Sequence, residues 1–230
     1  MKIGVLLPTF EEGPGQAFAC ARAVAAAGLD GIFAYDHLWP MNSPRRPSLA
    51  PFPLLATLVR RHEQLTVGPL VARVGLVGTA QLVDEFLTLH ELSGGRVIAA
   101  IGTGDRLSAA ENEAYGLEKL DAAQRRALLY ETAHELRTSM PVWIGAGTLA
   151  TNELARSLAV TLNFWDVVPE QVQGAAARGA VSWAGPAPRE LDAHLSALAA
   201  SGATWAVLGP AVEIGQLQDW RRRHPLGKFS

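Results

Sequence analysis

Short runs of β-branched or otherwise apolar residues recur along this chain roughly every 29 residues, each followed by a stretch with helical periodicity. The runs lie at residues 3–7, 31–35, 65–71, 97–101, 142–144, 160–163, 181–183 and 204–208. Most lack polar alternation, as parallel strands buried on both faces do. Between them, Leu82, Phe86 and Leu89 fall at i, i+4, i+7, as do Leu191, Leu195 and Leu198. Leu128, Leu129, Thr132 and Leu136 mark a third helical face. Gly28, Gly94-Gly95, Gly179 and Gly202 each close a helical stretch ahead of a strand, where a helix C-terminus takes a residue tolerant of positive φ. Eight strand–helix units predict a (β/α)8 TIM barrel, a single α/β domain over residues 1–230. A doubly wound open sheet is the lesser alternative, because such sheets carry fewer strands. The units after Pro141 are shorter than those before it, so that half of the barrel is expected to have trim loops. Residues 39–53 hold five prolines together with Arg45-Arg46 and read as a long loop after the second strand.

Composition narrows the function. Apolar residues make up 49% and charged residues 18%, which excludes a disordered or coiled-coil chain. A formal net charge of −2 provides no basic field for nucleic acid. The single cysteine, Cys20, cannot close a disulfide within the chain and fits a reducing cytoplasm. Met1-Lys2 leads into an apolar run that stops at Pro8 with no small-residue cleavage site, so no secretion signal is expected. The charge-free span 195–212 is divided by Ser201-Gly202 into a helical and a strand pattern, and no membrane crossing is expected there.

Barrels of this kind place their chemistry at the C-terminal ends of the strands. The tips carry Thr9 after the first strand, Asp36, His37 and Trp39 after the second, and Arg73 after the third. Gly102-Thr103-Gly104-Asp105 follows the fourth, Gly145-Ala146-Gly147-Thr148 the fifth, and Trp165 the sixth. His37 is the most informative, because an imidazole at a strand tip can accept, donate or transfer a proton near neutral pH. His62 and His90 near helix ends, and His134, His194 and His224 on helices or the tail, read as surface residues. The two glycine-rich turns would let backbone N–H groups approach an anion where a helix N-terminus favours negative charge. Ser108-Ala-Ala-Glu111 reads as a capping box that opens the helix after the first turn. Neither turn is a P-loop or a dinucleotide fingerprint. No histidines or cysteines have metal-ligand spacing, and no G-x-S-x-G elbow is present, so neither a metal centre nor a serine nucleophile is expected. Trp143 and Trp205 read as barrel core, while Trp39 and Trp165 could wall a planar ligand.

These residues sit in segments that resemble the luciferase-like monooxygenase superfamily. The segments are MKIGVLLPTF at 1–10, AAGLDGIFAYDHLWP at 26–40, LTVGPLVARVGLV at 65–77, LHELSGGRVIAAIGTGD at 89–105 and PVWIGAG at 141–147. The match runs almost end to end and in order. Asp36-His37 with Trp39 beyond resembles the branch that uses the deazaflavin coenzyme F420 rather than FMN. The resemblance implies a barrel holding the tricyclic ring at the strand C-termini, with His37 and Asp105 flanking it as catalytic residues and Asp36 and Trp39 lining it. It implies a non-proline cis peptide at Leu70-Val71 behind the ring. It also implies cofactor contacts from Gly102, Thr103, Gly104 and Ser108, and from Gly145, Ala146, Gly147 and Thr148 toward the phosphate-bearing tail. Thr9, Arg73 and Trp165 are then assigned to substrate.

Three departures stand out. Members of the superfamily usually carry a long insertion before the fifth strand, whereas here a helix leads straight to Pro141. Arg73 stands where a small polar residue is common. Asp105 stands where some members have glutamate. The expected activity is F420-dependent hydride transfer involving a small organic substrate, in a cytoplasmic homodimer. An FMN-dependent monooxygenase is one alternative. A barrel that binds cofactor without turnover is another, prompted by the missing insertion. An aldolase or isomerase barrel would need a lysine at a strand tip, and Lys2, Lys119 and Lys228 lie elsewhere.

Overall fold

The apolar runs form parallel strands because each has two apolar faces to bury, one toward the barrel axis and one toward a helix. In the computed structural model, which describes residues 1–225 other than 41, 42, 45 and 105–107, nine strands occur. They are β1 (Lys2–Leu6), β2 (Gly31–Ala34), β3 (Thr66–Pro69), β4 (Ala72–Arg73), β5 (Ala99–Gly102), β6 (Val142–Gly145), β7 (Thr161–Trp165), β8 (Val181–Gly185) and β9 (Trp205–Leu208). The intervening helices are α1 (Gly15–Ala26), α2 (Pro51–Val59), α3 (Thr79–Ser93), α4 (Ala109–Ala114), α5 (Ala122–Leu136), α6 (Leu149–Ser157), α7 (Pro169–Ala176), α8 (Leu191–Ala200) and α9 (Ile214–Arg223). The hydrogen-bonded order is β3-β2-β1-β9-β8-β7-β6-β5-β4. Its ends meet. Val67 N donates to Arg96 O at 2.9 Å and Ile98 N donates to Val67 O at 3.0 Å, which pairs β3 with the segment entering β5. The sheet is therefore a (β/α)8 barrel and not the open alternative.

Nine strands fill eight barrel positions for a local reason. The run expected at 65–71 is split at Leu70-Val71, whose peptide bond is cis. Pairing then resumes in β4, with Ala72 opposite Ile101 and Arg73 opposite Gly102. Both halves lie beside β5 or its approach, so β3 and β4 share one position. Arg73 is thus a strand residue rather than the start of a loop. A second difference concerns residues 39–53. There α2 begins at Pro51, in the first helical turn where a missing N–H leaves no helical bond unmade. A third is the capping box, since Ser108 makes no side-chain cap bond to α4.

The core has two layers. Outward strand residues such as Ile3, Val5, Ile32 and Ile144 pack against the predicted helix faces, including Leu82, Phe86, Leu89, Leu195 and Leu198, all buried. Inward residues fill the barrel: Leu6, Phe33, Ile98, Trp143, Trp205 and Val207. Phe33 stacks on Trp143 with ring centroids 5.4 Å apart and meets Trp205 edge-on at 5.7 Å. Gly4 makes room for this plug, since a Cβ there would stand 2.7 Å from Phe33 Cε2. Trp205 opens β9 and Trp143 is second in β6, so the plug fills the N-terminal half of the barrel and leaves the C-terminal half for a site.

Candidate active site

Above the plug, the strand C-termini enclose a cavity of about 780 Å³, a size usual for small-molecule sites. Part of its wall is aromatic. Phe10 stacks on Tyr35 at 5.3 Å with an interplanar angle of 11°, and Tyr35 meets Trp165 edge-on at 6.1 Å. Another part is bare backbone, from Gly102-Thr103-Gly104 and Gly145-Ala146-Gly147-Thr148. At two of these positions a Cβ would crowd its neighbours. A Cβ on Gly102 would stand 2.7 Å from Val71 Cγ2. Gly104 has φ +67°, and a Cβ there would stand 2.7 Å from Arg73 Cδ. Leu70 and Val71 complete the lining next to the glycines.

The polar centre joins three elements. At the tip of β2, Asp36 Oδ2 accepts the backbone N–H of Arg73 at 2.8 Å. His37 follows, 26% exposed, with Nδ1 3.1 Å from Oε1 of Glu111, which is 2% exposed at the start of α4. The other carboxylate oxygen of Glu111 lies 3.0 Å from Arg73 Nη1, and the Arg73 side chain is 6% exposed. That second contact has the distance but not the angles of a hydrogen bond, so charge holds it. All three guanidinium nitrogens of Arg73 are solvent-shielded and without a hydrogen-bond partner among the described residues. Ser48 Oγ donates to the His37 carbonyl at 2.6 Å and ties the following loop to the strand tip. Burial pushes the Asp36 carboxyl above its ordinary range, opposed by the Arg73 N–H and by the charges of Arg73 and His37. Burial also pushes the Tyr35 hydroxyl up to about 12.

Of the residues singled out from sequence, Asp36, His37, Leu70, Val71, Arg73, Gly102, Thr103, Gly104, Ser108, Gly145, Ala146, Gly147, Thr148 and Trp165 converge on this cavity. Asp105 lies outside the described residues. Thr9 does not reach the cavity. It is fully buried, and its carbonyl accepts the Leu49 N–H at 2.8 Å. Trp39 also stands off the wall, its ring 6.3 Å from that of Tyr115. Arg73 lines the cavity, with its guanidinium nitrogens shielded from solvent. In the turn at 145–148, expected to cradle an anion, two of the backbone N–H groups are already used. Ala146 N already donates to Asn163 O and Gly147 N to Asn152 Oδ1. A pair of hydroxyls, Thr148 in the turn and Thr151 in α6, lies beside it 3.0 Å apart. Thr148 also caps α6 by accepting the Thr151 N–H. His194, read as a surface residue, is half-buried against Trp183 at 4.9 Å.

The sequence reading missed Phe10, Tyr35, Arg125, Thr151, Asn163 and Glu111 at the site. Phe10 and Tyr35 flank strand tips and were open to the same positional rule. Asn163 is a polar residue inside an apolar run, and its amide donates to Ser182 Oγ at 3.0 Å. Arg125 reaches the cavity from α5 through the length of its side chain. Glu111 offered no signal, because the helix-capping pattern already explained it.

Residues 1–140 match the family profile described as luciferase-like monooxygenase. An F420-dependent glucose-6-phosphate dehydrogenase of Intrasporangium calvum is 29% identical over 140 residues, which cover 60% of this chain and 41% of that one. The chain thus spans less than half the length of that relative. Among solved structures, an F420-dependent secondary alcohol dehydrogenase in complex with an F420-acetone adduct superposes with a TM-score of 0.79. The identity is 12%, and the match covers 96% of this chain and 97% of the other. Monooxygenase RslO1 from Streptomyces bottropensis superposes with a TM-score of 0.74 at 13% identity, over 100% of both chains. At these identities the two superpositions establish a common fold.

Proposed function

The chain belongs to the luciferase-like monooxygenase family, and from that membership we propose that it is an F420-dependent oxidoreductase, moving a hydride between the deazaflavin and a small organic substrate. One observation carries this reading: a single cavity of about 780 Å³ joins a glycine-built wall to an imidazole at its mouth. The wall suits a flat ring, because Gly102, Gly104, Gly145 and Gly147 carry no side chain there, and a Cβ at Gly102 or Gly104 would crowd Val71 or Arg73. When bound, the deazaflavin supplies two-electron hydride chemistry at carbon, which leaves positioning and proton handling to the protein. Phe10, Tyr35 and Trp165 wall the space and exclude water. His37 holds or moves a proton at the substrate oxygen through Nε2, which has no partner among the described residues. Asp105 is proposed as the second proton-handling residue. The hydroxyls of Thr148 and Thr151 are proposed to meet the polar tail.

Visible-spectrum titration of the purified chain with F420 and with FMN tests the proposal. Saturable F420 binding at micromolar concentration, with FMN much weaker, supports it. The reverse order replaces it with a second reading, an FMN-dependent monooxygenase, which the family description and the likeness to RslO1 favour. We extend the proposal to a homodimer in a reducing cytoplasm. Light scattering that returns a monomer at working concentration would remove the dimer. Among the described residues no helix is long and apolar enough to cross a membrane.

A further inference from the structure

We infer that Glu111 and Arg73 form a buried positioning pair for His37, holding its ring as the tautomer protonated at Nδ1, so that Nε2 faces the cavity as a proton acceptor. Glu111 Oε1 lies 3.1 Å from Nδ1 across 74 positions of sequence. A carboxylate only accepts hydrogen bonds, so this contact places a proton on Nδ1, and in the neutral ring the lone pair is then on Nε2. His37 lines the cavity, and Nε2 has no partner among the described residues.

A carboxylate so deeply buried is unfavourable unless a counter-charge stands beside it. Arg73 provides one, with Nη1 3.0 Å from Oε2. Its guanidinium nitrogens are shielded from solvent and one lies against Glu111, so its charge acts on Glu111 and, through Glu111, on the imidazole. Arg73 is itself fixed. Its N–H donates to Asp36 Oδ2 at 2.8 Å, and its aliphatic stem rests against Gly104. Among the described residues the charged or titratable groups around His37 are Glu111, Arg73, the adjoining Asp36, and Tyr35, whose ring centroid lies 6.4 Å away. Glu111 does not close a capping box at the start of α4. A glutamate folded back onto the helix end could not reach His37, and here it is turned inward.

This inference deepens the proposed function and rests on it only for the source of the proton that Nε2 accepts. The test is nitrogen-15 NMR of histidine-labelled protein without cofactor, between pH 5 and 9, with the His37 signals assigned by their loss in His37→Ala. The wild-type neutral ring is expected to be protonated at Nδ1. In Glu111→Gln a substantial fraction should move to the Nε2-protonated form. Arg73→Lys, which keeps the counter-charge, should retain the wild-type tautomer. In the loaded enzyme, Glu111→Gln should lower kcat at least tenfold, with KM within about twofold, and displace the pH–rate profile. A wild-type ring protonated at Nε2 overturns the inference, whether or not Glu111→Gln folds. So does a folded Glu111→Gln protein with an unchanged tautomer. Nδ1 protonation without F420 binding would instead overturn the cofactor reading and leave the pair standing.

Discussion

The carboxylate of Asp36 accepts the backbone N–H of Arg73 at 2.8 Å, across 37 positions of sequence. This bond ties the tip of β2 to β4, immediately beside the split in the third barrel strand. It therefore sets the position of Arg73 and the direction of His37 together. Burial raises the Asp36 carboxyl pKa in the folded protein. Between the unfolded value and that raised value the folded state binds more protons, so the group's contribution to stability falls as pH rises through the window. The side-chain amide introduced by Asp36→Asn would still accept the N–H through its oxygen, without a buried charge. The stability difference between Asp36→Asn and wild type should therefore move in the variant's favour as pH rises from 4 to 8, measured by denaturant unfolding. A gap moving the other way would show that the partners of the carboxylate outweigh its burial. Asp36→Ala leaves the Arg73 N–H without its acceptor, and should lose about 1–3 kcal/mol.

His37→Ala separates binding from chemistry. The imidazole lines the cavity, is not part of the barrel plug, and is 26% exposed. Its loss should leave F420 affinity within a few-fold while lowering kcat by about 10²–10⁴, the usual range for one general acid or base. Spectral titration and steady-state turnover on the same preparation check both halves. Unchanged turnover would remove His37 from the chemistry.

The glycine wall makes a prediction of a different kind. Gly104→Ala must hold an L side chain at φ +67° and push Arg73 Cδ from 2.7 Å. Left-handed backbone alone disfavours a residue with a Cβ by roughly 1–2 kcal/mol. Thermal unfolding should show a loss of at least that size. Gly102→Ala has ordinary backbone, and its Cβ meets only Val71 Cγ2 closely, at 2.7 Å. Its fold should survive with a smaller loss, while displacement of Val71 weakens F420 binding about tenfold or more. Equal effects of the two substitutions on stability would contradict this division.

These contrasts reflect what a linear sequence can express. The strands were legible because parallel strands buried on both faces are continuous apolar runs, and Ile3, Val5 and Leu6 show this directly. The helix faces were legible for the same reason at a different period. At Leu70-Val71 the apolar run continues while the pairing does not, so the pattern alone hid the division of the third position, although the family resemblance had pointed to the cis peptide found there. Pro51 and Pro53 made the start of α2 look like loop, because proline suits the first helical turn as well as irregular chain. At the site, His37 and the glycines were found by position alone. Glu111 was not, because local pattern accounted for it while its partners His37 and Arg73 lie 74 and 38 positions earlier. Arg73 was found by the same rule, but its pairing with Glu111 depends on packing that a linear sequence does not display.

Trp165 offers a test of ligand contact free of core effects. It closes β7 at the cavity mouth, is 48% exposed, and among the aromatic rings of the described residues meets only the edge of Tyr35. Trp183 is the useful contrast. It is fully buried and donates Nε1–H to Val167 O at 2.9 Å, so Trp183→Ala should destabilise the barrel by about 3–5 kcal/mol and blur any effect on binding. Trp165→Ala removes little buried surface, and stability should stay within about 0.5 kcal/mol of wild type. An aromatic face against a planar ring contributes about 0.5–1.5 kcal/mol beyond its area, so F420 affinity should fall by up to about tenfold. Trp165→Phe retains a ring and should recover most of that loss. Thermal melts beside spectral titrations decide the matter. Wild-type affinity in Trp165→Ala would mean that the ring binds against the glycine wall and Tyr35 without using β7, and would move Trp165 out of the site.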